Sequence, residues 1–165
     1  MLRSQTVRQG VYSLLLALFL TAPAWADPLV KSTTSIEAEF HRYILENARS
    51  LKCTFSTGMY ADWKGGRLTT TRVNEEFILH FDNIATKEGR ARLIGNQGAS
   101  DIAVMLTPSG LTFVEVTPSG NHNFTTVFSA YKKGSQEFIA VTSRHILLMD
   151  DPFPSQFHGS CEQWD

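Results

Sequence analysis

Two copies of Thr-Pro-Ser-Gly, at residues 107–110 and 117–120, bracket the six-residue run LTFVEV at residues 111–116. Proline presets φ for the second position of a β-turn, and glycine tolerates the position after the bend. A strand rich in β-branched and aromatic residues between two such turns specifies consecutive antiparallel hairpins. The reuse is local and does not make the chain a repeat protein.

The same period of two runs through most of the chain. Cys53, Phe55, Thr57 and Met59 alternate with Thr54, Ser56, Gly58 and Tyr60, and Phe77, Leu79 and Phe81 alternate with Ile78, His80 and Asp82. Residues 90–95, 101–107, 124–131 and 137–143 continue it, across turns at Asn96-Gln97-Gly98 and Lys132-Lys133-Gly134. Gly65-Gly66 marks another turn, and residues 67–73 read as a short strand or a loop. The chain is therefore mainly β: an antiparallel up-and-down meander of about seven or eight strands with no helix between them. Such a meander must hide its two edges, and closing into a small, lipocalin-like barrel does so. A two-sheet sandwich is the alternative. After Met149, Pro152 and Pro154 suggest an irregular strap that wraps the barrel and ends near Cys161.

One segment departs from this period. Ile36, Phe40, Tyr43, Ile44, Ala48 and Leu51 recur at helical spacing, behind a capping box formed by Thr34 and Glu37. An amphipathic helix of about four turns should precede the barrel and cover its core.

Ahead of the helix lies a pattern of another kind. Arg3 and Arg8 precede the apolar run 11–21, and Ala24 and Ala26 place small residues where a signal peptidase requires them. The run is too short to span a bilayer. The expected organisation is a signal peptide over 1–26, a flexible leader over 27–34, and one β-domain over 35–165. The first cysteine is Cys53, so no lipid attachment site follows the cleavage point. The expected product is a periplasmic or secreted monomer with no membrane span.

Cleavage after Ala26 leaves 139 residues with 13 basic and 16 acidic side chains, a net charge of about −3. That balance does not suit nucleic acid or an anionic membrane surface, which favour a basic face. Two cysteines in an oxidising compartment allow one intramolecular pairing, Cys53 with Cys161, which would tie the tail to the first strand.

The motifs of catalysis are missing. There is no G-x-S-x-G elbow, S-x-x-K, reactive Cys-His signature or phosphate-binding glycine loop. Five histidines raise the question of a metal, with His145 and His158 flanking Asp150-Asp151, but none has H-x-x-H, H-x-x-x-H or HExxH spacing. No catalytic residue, cofactor or metal site is assigned. Glu115 is the most informative charge. Alternation places it beside Leu111 and Phe113, so its side chain should face the barrel interior or rim, where Arg90, Arg92 or Arg144 could partner it.

Arg144-His145, the tail from Pro154 to Cys161 (PSQFHGSC) and the run from Gly110 to Asn121 (GLTFVEVTPSGN) resemble an uncharacterised family of small exported proteobacterial proteins. The resemblance spans roughly Cys53 to Trp164 and implies export and a β-domain, with no activity attached. The functional expectation is a non-enzymatic binding module for a small, partly apolar ligand, with Glu115, Phe113, Arg144 and His145 as candidate contacts. Phe55, Phe77, Phe81, Phe124, Phe128 and Phe138 would line that pocket or fill a dry core. The alternative is a protein-interaction or inhibitor module of the cell envelope, with an enzyme as the third class.

Overall fold

A computed structural model describes residues 28–95 and 98–164, with side chains from residue 36 onward. One helix, α1 (Pro28–Asn47), precedes nine strands. These are β1 (Leu51–Lys64), β2 (Arg67–Val73), β3 (Phe77–Ala85), β4 (Arg90–Gly95), β5 (Gly98–Thr107), β6 (Gly110–Val116), β7 (His122–Tyr131), β8 (Phe138–Leu148) and β9 (Asp151–Gln163). Every pairing is antiparallel, and β9 returns to β1, so β1 and β3–β9 close an eight-stranded barrel. The expected signal peptide lies outside the described residues.

The first twin turn works as its sequence implies. At Gly110, φ is +141°, and any β-carbon there would overlap the backbone of Val127 and Phe128. Glycine lets β6 approach β7 at the start of their ladder.

Pro152 and Pro154 predict an irregular strap at the close of the chain. Instead β9 pairs with β8 from Phe138↔Cys161 to Leu148↔Asp151, and with β1 from Leu51↔Gln163 to Tyr60↔Ser155. Proline is tolerated where a strand has a free edge. Pro152 and Pro154 both lie before Ser155, where pairing to β1 begins, so their stretch of β9 has only one neighbour. Cys53 and Cys161 are direct register partners on this seam and form the disulfide, with Cα atoms 4.0 Å apart. The bridge staples the barrel shut.

Two other expectations need correction. First, the alternation of β1 is interrupted by a bulge between Phe55 and Thr57. Leu51, Cys53 and Phe55 face inward, but beyond the bulge it is Gly58 that is buried, while Thr57 and Met59 face solvent. A bulge adds one residue to one strand and so reverses which face each later side chain takes. Second, α1 begins at Pro28, ahead of the capping box at Thr34, and ends at Asn47, before Leu51. Its buried residues nearest the barrel are Leu45 and, just past its end, Ala48, whereas Ile36, Phe40 and Tyr43 are exposed. Leu51 is buried as the first residue of β1.

The helix closes one end of the barrel. α1 packs on β6 and β7, Thr86 Oγ1 donates to the Glu46 carbonyl, and His41 lies 3.9 Å from the Tyr131 ring. At the opposite end the second half of β1 pairs with β2 instead of β3, so this hairpin stands beyond the barrel rim beside the β8–β9 hairpin.

Candidate functional site

Three neighbouring strands set the character of the interior through direct register. Nearest the helix, Leu111, Val127 and Ala140 stand side by side on β6, β7 and β8, all fully buried. The next inward row is Phe113, Thr125 and Thr142, where Thr125 Oγ1 donates to Thr142 Oγ1 at 2.9 Å. The row above it is Glu115, Asn123 and Arg144. The interior thus passes from hydrocarbon to hydroxyl to charge along the barrel axis. Each step is two residues, the period with which a strand returns to the same face.

This gradient borders a cavity of about 280 Å³ at the end away from α1. Its apolar wall is Leu79, Phe81, Leu93, Ile102 and Phe113, with the Phe81 and Phe113 rings stacked at 4.0 Å between centroids. Its polar wall includes Glu115, Asn123, Thr125, Thr142 and Arg144. The barrel is therefore filled near the helix, where Phe138 is buried, and hollow towards its mouth. Phe55 and Phe77 stack at 5.3 Å as part of the packing, while Phe124 and Phe128 lie on outward positions of β7 and do not line this cavity.

Glu115 faces this cavity, but not as half of an ion pair. Asn123 Nδ2 donates to Glu115 Oε2 at 2.6 Å, and no basic nitrogen among the described residues lies within 4.0 Å of the carboxylate. Two of the three candidate arginines are elsewhere. Arg92 is committed to Asp82, and Arg90 is exposed. Arg144 shares the cavity, but its guanidinium lies 4.4 Å above the Phe77 ring and 5.4 Å from that of Phe157. Cation–π attraction holds it on the β3–β9 side of the mouth. Asn123 Oδ1, next to Arg144 in register, is buried without a donor. Burial pushes the Arg144 pKa down, and the charge on Glu115 draws it partly back up. Arginine remains protonated even so. Among the described residues the guanidinium donates to no acceptor.

Of the four candidate contacts, three meet at the cavity: Glu115, Phe113 and Arg144. His145 does not. It follows Arg144 on β8 and so faces outward, exposed, beside His122 across β7 and 5.4 Å from the Phe124 ring. His158 sits on an outward position of β9 opposite Val141, four residues along β8 from His145. Asn123, Thr125, Thr142 and Ile102 were missed. Asn123 was not legible from the turn motif alone. A turn closed at 117–120, as the first is at 107–110, would set residue 122 opposite 115, whereas the second closes at Asn121, whose carbonyl accepts from Thr117 N, and so brings 123 opposite 115.

No helix among the described residues is long and apolar enough to cross a membrane. No family model matches the chain, and no curated protein is recognisably similar to it.

Proposed function

We propose that this is an exported, non-enzymatic binding module that takes a small, partly apolar ligand in the mouth of its barrel. One observation carries the reading: a cavity with an aromatic and aliphatic floor holds an arginine and a glutamate that do not pair with each other. Half-buried charges are costly without a counter-ion, so a mouth that leaves one of each sign without an ionic partner is better explained by a ligand than by packing. The volume is at the small end for ligand pockets. The Cys53–Cys161 bridge is consistent with an oxidising compartment and supports the export reading of residues 1–26. An uncharged fluorescent arylamine, such as N-phenyl-1-naphthylamine, tests the binding reading. Its emission should rise on titration with the protein, and this rise should be lost in Ile102→Trp, which fills the cavity floor. An unchanged spectrum, with no binding of any small partly apolar compound by calorimetry either, would overturn the reading.

A second reading, contact with an envelope protein, is favoured by the β8–β9 turn. Leu147, Leu148 and Met149 are 61%, 52% and 92% exposed, and Met149 and Asp150 both have positive φ. Backbone strain and exposed apolar side chains together characterise contact surfaces better than they do inert loops. A photo-crosslinker at Met149, introduced in cells, should then capture a discrete adduct.

A further inference from the structure

We infer that the ligand of the barrel mouth is a zwitterion, an α-amino acid with an apolar side chain, whose carboxylate meets Arg144 and whose ammonium meets Glu115. This deepens the binding reading above and rests on it.

The argument begins with the spacing of the two charges. Glu115 and Arg144 are two strands apart in one inward row, with Asn123 between them. Strand spacing sets their backbones about 10 Å apart. Neither side chain closes that gap. The carboxylate is held towards β7 by Asn123, and the guanidinium is held over Phe77 and Phe157 at the other side of the mouth. The charged atoms lie more than 4.0 Å apart within that span, too far for a direct ion pair. A head that carries both a donor and an acceptor can bridge them with a charge-assisted hydrogen bond, about 2.8 Å long, on either side.

The sign of each wall then selects the head. A simple anion would satisfy Arg144 but sit across the cavity from Glu115. A simple cation would satisfy Glu115 but face Arg144. An uncharged molecule would pair neither charge and gain only the apolar contact of the floor, so it should bind, but more weakly than a head that satisfies both walls. A head carrying both charges satisfies both walls and leaves the cavity's net charge unchanged. Beneath it, Phe81, Phe113 and Ile102 offer an apolar floor for a side chain, and the cavity of about 280 Å³ holds a single residue's worth of ligand, not a long chain.

The test is a series of matched compounds titrated calorimetrically into the purified protein: L-phenylalanine, 2-phenylethylamine, 3-phenylpropionate and 3-phenylpropionamide. L-Phenylalanine should bind at least about tenfold more tightly than any of the other three, the margin one charge-assisted bond supplies. Arg144→Met should bring L-phenylalanine down to the level of 2-phenylethylamine, whose own affinity should not fall, because the amine is relieved of a facing cation. Glu115→Gln should do the same relative to 3-phenylpropionate. If the propionate, the amine or the amide matches the amino acid in the wild-type protein, the inference is overturned. If none of the four binds while N-phenyl-1-naphthylamine does, the ligand class is wrong and the binding reading stands. If the arylamine also fails, both fall.

Discussion

Asp82 and Arg92 face each other across β3 and β4 and share two hydrogen bonds, of 2.7 and 2.5 Å. The bond from Arg92 holds the Asp82 carboxyl below its ordinary range, against a smaller opposing effect of burial. A carboxyl whose folded pKa is depressed stabilises the fold fully above its unfolded value, and that stabilisation is lost as pH falls through the folded value. Below about pH 4 the protein should therefore lose stability partly through this group. Asp82→Asn should flatten that acid limb in a series of thermal melts while leaving its slope near neutrality unchanged. Glu115 behaves differently because it has no cationic partner to strand. Glu115→Ala removes the acceptor of Asn123 Nδ2, and leaving a partly buried donor unpaired costs about 1–3 kcal/mol. Glu115→Gln keeps an acceptor oxygen there and should stay within about 0.5 kcal/mol of the parent. Urea denaturation of the two variants separates them, and a Gln variant as unstable as the Ala variant would mean that charge, and not the hydrogen bond, matters at this position.

At the level of elements, the strands with clean alternation and strong turns were legible, and those whose pattern is locally broken were not. The two Thr-Pro-Ser-Gly turns place β5, β6 and β7 correctly because proline and glycine act on the backbone directly. β9 was hidden by Pro152 and Pro154, which argue against a strand unless one edge is free, and that freedom depends on where β1 pairs. The bulge in β1 carries no composition cue, yet it reverses the faces of everything after Phe55. The β8–β9 turn was hidden too, because its two central residues, Met149 and Asp150, hold φ of +50° and +69° without a glycine. Replacing Met149→Asn together with Asp150→Gly should raise stability by about 1 kcal/mol by relieving left-handed strain. Guanidinium unfolding would show it, and a loss of stability would mean the native turn is held by contacts its backbone angles do not reveal. The seam makes a larger demand. The disulfide closes a loop of 108 residues, for which chain entropy gives about 4–5 kcal/mol as an upper figure. Cys53→Ala with Cys161→Ala should lose up to that amount yet keep its strand circular dichroism, because β9 still has ladders on both sides.

As a whole, the molecule is a barrel with one end stoppered and the other open, and the site exists because those two ends differ. Binary patterning predicts a barrel and a covering helix, but it cannot say that the helix sits at one end. That follows from how β7, β8 and β1 terminate around residues 131, 138 and 51, a consequence of register that no single segment encodes. Glu115 could be read as inward-facing from its own strand, whereas its relation to Arg144 needed the shift between Val127 and Tyr131 that sets β8 against β7. The division of labour can be tested through Leu45, a fully buried residue of α1 at the stoppered end. Leu45→Ala removes three carbons from a closed layer and leaves a cavity, which costs about 2–5 kcal/mol. The mouth lies beyond the sealed row of Leu111, Val127 and Ala140, so ligand affinity there should not change. Sites this far apart with no shared partner contribute independently, so combining Leu45→Ala with Glu115→Gln should give the sum of the single effects to within about 0.5 kcal/mol. Chemical denaturation of the four proteins, with arylamine titrations on each, measures both quantities. A weakened affinity in Leu45→Ala would show instead that the stopper and the mouth report on one common conformational equilibrium, with the helix acting as part of the site.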